Sequence, residues 1–97
     1  MSKLDSVILN EADQRFEIPA GDDFAYIDYR WYQGILILLY IFVPIPYRGK
    51  GLSEKLMNHA LEFAREKDVK IKVYCPYIGK YIRMNPEYAS LLETTSP

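Results

Sequence analysis

The stretch YRGKGLS, Tyr47 to Ser53, alternates two cations with two glycines directly ahead of a run with helical spacing. The first N–H groups of a helix have no intrahelical partner and carry about half a positive charge, so an anion there gains hydrogen bonds and dipole attraction together. Gly49 and Gly51 can adopt positive φ and clear space for a close approach, Arg48 and Lys50 add charge, and Ser53 brings a hydroxyl into the first turn. The pattern points to a diphosphate; its plainer alternative is a strand-to-helix turn. Two known phosphate patterns fail by position. A P-loop requires glycine where Pro44 stands and Ser or Thr where Gly51 stands, and a dinucleotide fingerprint requires Gly or Ala where Glu54 stands.

Residues able to do covalent or proton chemistry are few. Cys75 ends a predicted strand just ahead of a predicted helix, a setting that favours a nucleophilic thiolate; the other reading makes it a small buried packing residue. Tyr81 follows on that helix, as a proton donor or as core packing. His59 lies on the polar face of the preceding helix with no acidic partner at catalytic spacing, and reads as solvated surface. Tyr26, Tyr29 and Tyr32 with Trp31 offer apolar area with polar tips, suited either to an acceptor groove or to the core and one sheet face.

These residues need strands and helices to hold them. ILILLYIFV, Ile35 to Val43, has no polar face and predicts a central strand covered on both sides, ended by Pro44 and Pro46, which cannot donate to a ladder. From Gly51 to Lys67, Leu52, Leu56, Ala60, Phe63 and Ala64 recur at helical spacing, with Met57 and Leu61 widening the stripe. VKIKVYC, Val69 to Cys75, alternates and predicts a strand, so the β-turn-helix-β order calls for a parallel, right-handed crossover. A second helix is expected over PYIGKYIRMN from Pro76, and a short helix or turn over PEYASLLE. Upstream, SVILNEADQRFEI predicts two short strands around a turn at Asn10 to Gln14. PAGDD predicts a second turn, and FAYIDYRWY a half-exposed strand with Ala25, Ile27, Tyr29 and Trp31 on one face, closed by a turn at Gln33 and Gly34.

A chain of 97 residues is most simply one domain, here 1–97. Its net charge of -1 excludes the broadly basic surface that binds nucleic acid. The charge is unevenly placed: residues 1–46 hold 3 basic and 7 acidic side chains, and residues 47–97 hold 9 and 6, so an anion site belongs in the second half. One cysteine and one histidine allow neither an internal disulfide nor a Cys/His metal cluster. The N-terminal MSKLDSVILNEADQRF lacks the marks of a signal peptide, and the apolar run Ile35 to Pro46 is shorter than the ~20 residues of a membrane helix. A cytoplasmic, metal-free protein with no membrane partner is expected.

Arg48, Gly51 and Ser53 stand at the defining places of a loop R/Q-x-x-G-x-G/A, and the stretch from Val43 to Tyr88 continues with a long helix, a Cys-Pro-aromatic strand end and a terminal Asn-Pro-Glu-Tyr. This half of the chain resembles the minimal, single-domain branch of the GNAT N-acetyltransferase superfamily, whose loop holds acetyl-coenzyme A. Ser53 replaces the usual Gly or Ala, and Asn85 stands where the branch has His. The resemblance implies an α+β fold with a mixed, mostly antiparallel sheet, splayed central strands and two to three helices. It implies that the backbone around Arg48, Gly49, Lys50, Gly51, Leu52 and Ser53 binds the pyrophosphate, and that Ile41, Phe42 and Val43 pair with the pantetheine arm. The acetyl group would lie between the strands ending at Val43 and Cys75, with Tyr81 pointing into that slot to protonate the departing thiolate, as a tyrosine does in larger relatives.

Members of the branch commonly show His-Thr-Glu-Val-Pro where this chain has YIFVP, so Tyr40 replaces the His and Phe42 the Glu expected as general base. Two functions are therefore implied: an acetyl-coenzyme A-dependent N-acetyltransferase acting on an exposed amine of a protein, peptide or small molecule, or a coenzyme A-binding module without turnover. A third reading, independent of the resemblance, is an interaction domain in which the loop is only a turn. Without room for the elements that enclose the acceptor in full-size members, the acceptor side is expected to be open, in a monomer or weak homodimer.

Overall fold

Alternating apolar residues build a five-stranded sheet in the computed structural model, which describes residues 7–93. Residues 1–6, the first part of the N-terminal stretch MSKLDSVILNEADQRF, lie outside the described residues. Strand β1 (Ile8–Asn10), β2 (Arg15–Ala20), β3 (Asp23–Tyr32) and β4 (Ile35–Phe42) form an antiparallel meander in chain order, and β5 (Ile71–Val73) adds to β4 in parallel. Helix α1 (Leu52–Lys67) makes the parallel crossover, and α2 (Pro76–Met84) and a 3-10 helix (Pro86–Leu91) follow β5. The fold is α+β, as the sequence implies. Near the C-terminus, Leu92 bridges Ile71 in parallel.

The turns are tighter than the sequence suggests. Pro19 and Ala20 remain in β2, opposite Phe24 and Asp23, so PAGDD contributes a turn of Gly21 and Asp22 only. Gln33 and Gly34 both have positive φ, 52° and 78°, the hairpin geometry that follows the twist of the flanking strands. Strand β5 is shorter than its alternation suggests: the Val69 N–H bonds to the Ala64 carbonyl behind α1, and Cys75 already caps α2. At the other end of β4, Pro44 precedes a 3-10 turn (Ile45–Tyr47) instead of an extended exit.

One sheet face carries the core. Phe16, Ile27, Leu36, Leu38 and Ile71 are fully buried against Leu56, Met57 and Leu61 of α1 and Ile78 of α2. Each such side chain stabilises the fold by about 1.5 to 3 kcal/mol relative to exposure. The opposite face is not covered by a helix among the described residues. Tyr40 there is 44% exposed, and Ile35, Ile37 and Leu39 are half-buried, so β4 is flanked by strands but not covered on both sides as its composition suggests. Trp31 likewise remains exposed at the core's edge, 6.4 Å from the Phe63 ring. Glu17, on the uncovered face, is 7% exposed and is paired by Arg15 at 3.8 Å and the Asn10 amide at 3.2 Å.

A β-bulge governs the second half of β4. Tyr29 pairs with Leu38 but Asp28 pairs with Tyr40, leaving Leu39 as the extra residue. Alternation restarts there: Ile41, opposite Ile27, returns to the core side with Val43, while Tyr40 and Phe42 share the uncovered face with Tyr26.

Candidate functional site

Strands β4 and β5 part company early. Their pairing ends where the Tyr74 N–H bonds to the Leu38 carbonyl at 3.0 Å, yet β4 runs on to Phe42. The splay opens a cleft of about 390 Å³. Ile41, Phe42 and Val43 line one side and Cys75 and Tyr77 the other; the head is closed by the loop at Tyr47 to Gly49 and by Leu52 and Ser53 of α1.

The loop has the geometry an anion requires. Gly49 and Gly51 have φ of 79° and 85°, and nothing lies within 4 Å of where a Cβ on either would sit. Gly51 caps α1 without any side-chain cap, and the helix's first bond runs from the Lys55 N–H to the Gly51 carbonyl at 3.1 Å. The N–H groups from Gly49 to Glu54 consequently meet no acceptor among the described residues. Arg48 has a second duty: its Nε–H donates to the Val43 carbonyl at 2.7 Å, tying the loop to the end of β4. Tyr47 is seated over the β2–β3 turn, where a Cβ on Gly21 would collide with its hydroxyl.

Of the residues expected to hold the donor, Ile41, Phe42, Val43, Arg48, Gly49, Leu52 and Ser53 line the cleft; Lys50 is exposed outside it, and Gly51 lines the groove on the other side of the α1 N-terminus. Cys75 also lines the cleft, at 8% exposure, from the N-cap position of α2. Tyr81 is not brought there. It lies in the adjoining groove between the helices with Glu54 and Met57, and burial, then Glu54 and Glu87, push its pKa up. The sequence points Tyr81 toward the slot, but it is Tyr77, one helical turn earlier, that lines it. The Tyr77 hydroxyl lies 3.4 Å from Ser53 Oγ across the cleft head. The aromatic that follows Cys-Pro was the signal for it; Tyr47 carried none beyond its place in the loop.

No carboxylate or imidazole lines the cleft among the described residues. His59 is half-buried, its ring edge-on to Phe16 with the centroids 5.8 Å apart, a packing residue instead of the solvated one expected. Tyr40 faces the uncovered sheet side, where its hydroxyl meets that of Tyr26 at 3.0 Å; that hydrogen bond, with burial, pushes the Tyr26 pKa up to about 12. Phe42 joins the two regions, lining the cleft while its ring stands 5.5 Å from Tyr26. The site can thus cradle an anion, pair with an extended arm along β4, and present one thiol and one phenol to whatever that arm carries.

A family model described as GCN5-related N-acetyl-transferase matches residues 15–91. Protein NATD1 of Gallus gallus is 42% identical over 52 residues, covering 54% of this chain and 47% of its own. Protein NATD1 of Homo sapiens is also 42% identical over 52 residues, or 54% of this chain and 46% of its own. The chain spans about half the length of the curated relatives it matches. A GCN5-like protein from Staphylococcus aureus, solved by NMR in solution, superposes with a TM-score of 0.70 over 99% of this chain and 94% of that one at 21% identity, a likeness of fold.

Proposed function

Because the chain belongs to the GCN5-related N-acetyltransferase family, we propose that it binds acetyl-coenzyme A in the cleft between β4 and β5 and transfers the acetyl group to an exposed amine. The observation that carries this reading is the run of unpaired N–H groups from Gly49 to Glu54 at the head of a cleft whose far wall is Cys75. The open space in front of both glycines fits a pyrophosphate, which those N–H groups and the fixed charge of Arg48 would hold. Bound there, the donor supplies a thioester next to Cys75.

The chemistry must proceed without the family's usual carboxylate, since Phe42 stands in its place. A thiol relay needs none. The Cys75 sulfur forms a bond to the acetyl carbon as the thioester C–S bond breaks, and the Cys75 proton passes to the departing thiolate. The acceptor nitrogen then attacks the acetyl-Cys75 carbonyl, the new C–S bond breaks, and the amine's proton returns to sulfur. Tyr77, which lines the same side of the cleft as Cys75, would donate a hydrogen bond to the departing thiolate while the Cys75 proton transfers to it.

Mass spectrometry after mixing with isotopically labelled acetyl-coenzyme A tests this reading. A stable +acetyl adduct is expected on Cys75 in the absence of acceptor, lost in Cys75→Ala. Direct transfer to amines by Cys75→Ala at the unaltered rate would refute the relay. A second reading, a coenzyme A-binding module without turnover, is favoured by the aromatic substitutions at Tyr40 and Phe42; binding without adduct or product across a peptide library would select it.

A further inference from the structure

On the side of β5 away from β4, a cavity of about 650 Å³ opens between that strand, α2 and the chain at Leu92 and Glu93. Cys75 lines both this cavity and the cleft, so one residue stands in the wall of each. The outer edge of β5 is fixed by the Glu93 N–H, which bonds to the Ile71 carbonyl at 2.8 Å. Strand alternation turns the Val73 N–H and carbonyl the same way, while the Tyr74 N–H turns back to β4. Past Ile71 that edge has no partner among the described residues.

A second unpaired group shares the cavity. The Arg83 side chain makes no hydrogen bond, ion pair or ring contact with any described residue, and its Nη1 lies 3.8 Å from where a Cβ on Gly79 would sit. Gly79 is mid-helix, where glycine is a poor choice, and its backbone does not require it. What glycine provides is room beside the guanidinium. Gly79 in turn bonds to the Cys75 carbonyl at 3.0 Å, one helical turn away.

Resting on the reading of the cleft as the donor's, we propose that this cavity is the acceptor site and takes an amine that also bears a carboxylate, an amino acid or short peptide, with the carboxylate on Arg83 and the amine at Cys75. Lys72 and Arg83 line the cavity against the one carboxylate of Glu93, so a simple cation is disfavoured there. A carboxylate anchored on Arg83 turns the opposite end of its molecule toward the thiol. The span suits it: a helical turn rises about 5.4 Å and an extended dipeptide reaches about 7 Å. A peptide bond between those ends would lie along the Val73 edge, which has no partner among the described residues. In the transfer the amine nitrogen gains the acetyl carbon, the C–S bond breaks, and the amine's proton is left on sulfur.

The test is amide NMR of the full chain with glycylglycine and, as control, glycylglycinamide. Saturable shifts at Val73 and Gly79 are expected with glycylglycine, about tenfold weaker with the amide and about tenfold weaker in Arg83→Gln. Arg83 is exposed, so the variant's unchanged thermal melt verifies its fold. Equal response to both probes, or full response in Arg83→Gln, overturns the proposal. Coenzyme A shifts at Leu52 and Ser53 are read in the same samples. If they are missing while glycylglycine still binds, the donor reading fails and with it the cavity's role as acceptor site; if they are present and glycylglycine fails, only this proposal falls.

Discussion

Replacing Gly51 separates backbone strain from ligand recognition. At φ 85° a Cβ meets the preceding and following peptide units, although nothing else lies within 4 Å. The left-handed conformation costs a residue with a side chain about 1 to 2 kcal/mol, and in a domain this size each kcal/mol lowers Tm by roughly 4 to 8 °C. Gly51→Ala should therefore melt roughly 4 to 16 °C below wild type. Gly34 is the control, because its φ is 78°, it too has open space around it, and it lies in the β3–β4 turn away from the cleft. Gly34→Ala should lose comparable stability. Coenzyme A affinity should distinguish them: a methyl among the N–H groups of the loop displaces the pyrophosphate from one or two charge-assisted bonds, for a loss of about 10- to 100-fold. Calorimetric titration, with melts at saturating coenzyme A as a cross-check, measures both effects. Wild-type affinity in Gly51→Ala would refute the cradle, and an equal affinity loss in Gly34→Ala would show that strain alone explains it.

Three further outcomes follow from contacts elsewhere. Tyr77→Phe should slow acetyl transfer about 10- to 100-fold while Tyr81→Phe leaves it within a factor of two, as measured by single-turnover kinetics; the reverse ranking would restore Tyr81 to the site. Burial and the hydrogen bond to Glu62 raise the Tyr88 pKa from 10.0 to about 12. A raised folded-state pKa stabilises below the unfolded value and fades as pH climbs through the folded one, so stability should fall between pH 10 and 12, and fall less steeply in Tyr88→Phe when urea midpoints are compared across that range. Gly21→Ala should lose more stability in wild type than in a Tyr47→Ala background, because only the first contains the collision; a double-mutant cycle with no coupling would remove Tyr47 from its seat.

The helix and the loop were legible because their signals are local. Leu52, Leu56, Ala60 and Ala64 repeat at the helical period, and glycine at 49 and 51, just ahead of that repeat, marks places where positive φ carries no side-chain penalty. The expectations that failed depend on tertiary placement. An all-apolar strand read as covered on both faces because periodicity cannot distinguish a buried face from an aromatic one left bare, as at Tyr40. Tyr77 and Tyr81 differ by one turn of the same helix, and which of them reaches the cleft depends on how α2 rolls against α1. His59 sits among polar neighbours in sequence, and only the fold brings the Phe16 ring against it. Arg48 read as a free charge, whereas its bond to Val43 depends on the chain turning back through the 3-10 helix.

Leu39 has a consequence for how this strand tolerates change. A single inserted or deleted residue in a plain β-strand reverses every side chain beyond it, which usually ruins a core. Here one such insertion is already part of the design, so β4 reads as two phrases in different phase, Ile35 to Leu38 serving the sheet and the part from Tyr40 on carrying the cleft wall of Ile41 to Val43. Drawing Leu39 into the ladder opposite Asp28 would send Ile41 out and Tyr40 in, exchanging an apolar wall for a phenol without altering any residue of the second phrase, whereas deleting Leu39 would keep Tyr40 out and Ile41 in and merely iron out the bulge. Substitutions within that phrase, by contrast, can vary the chemistry at the mouth of the cleft while the meander behind it keeps its register.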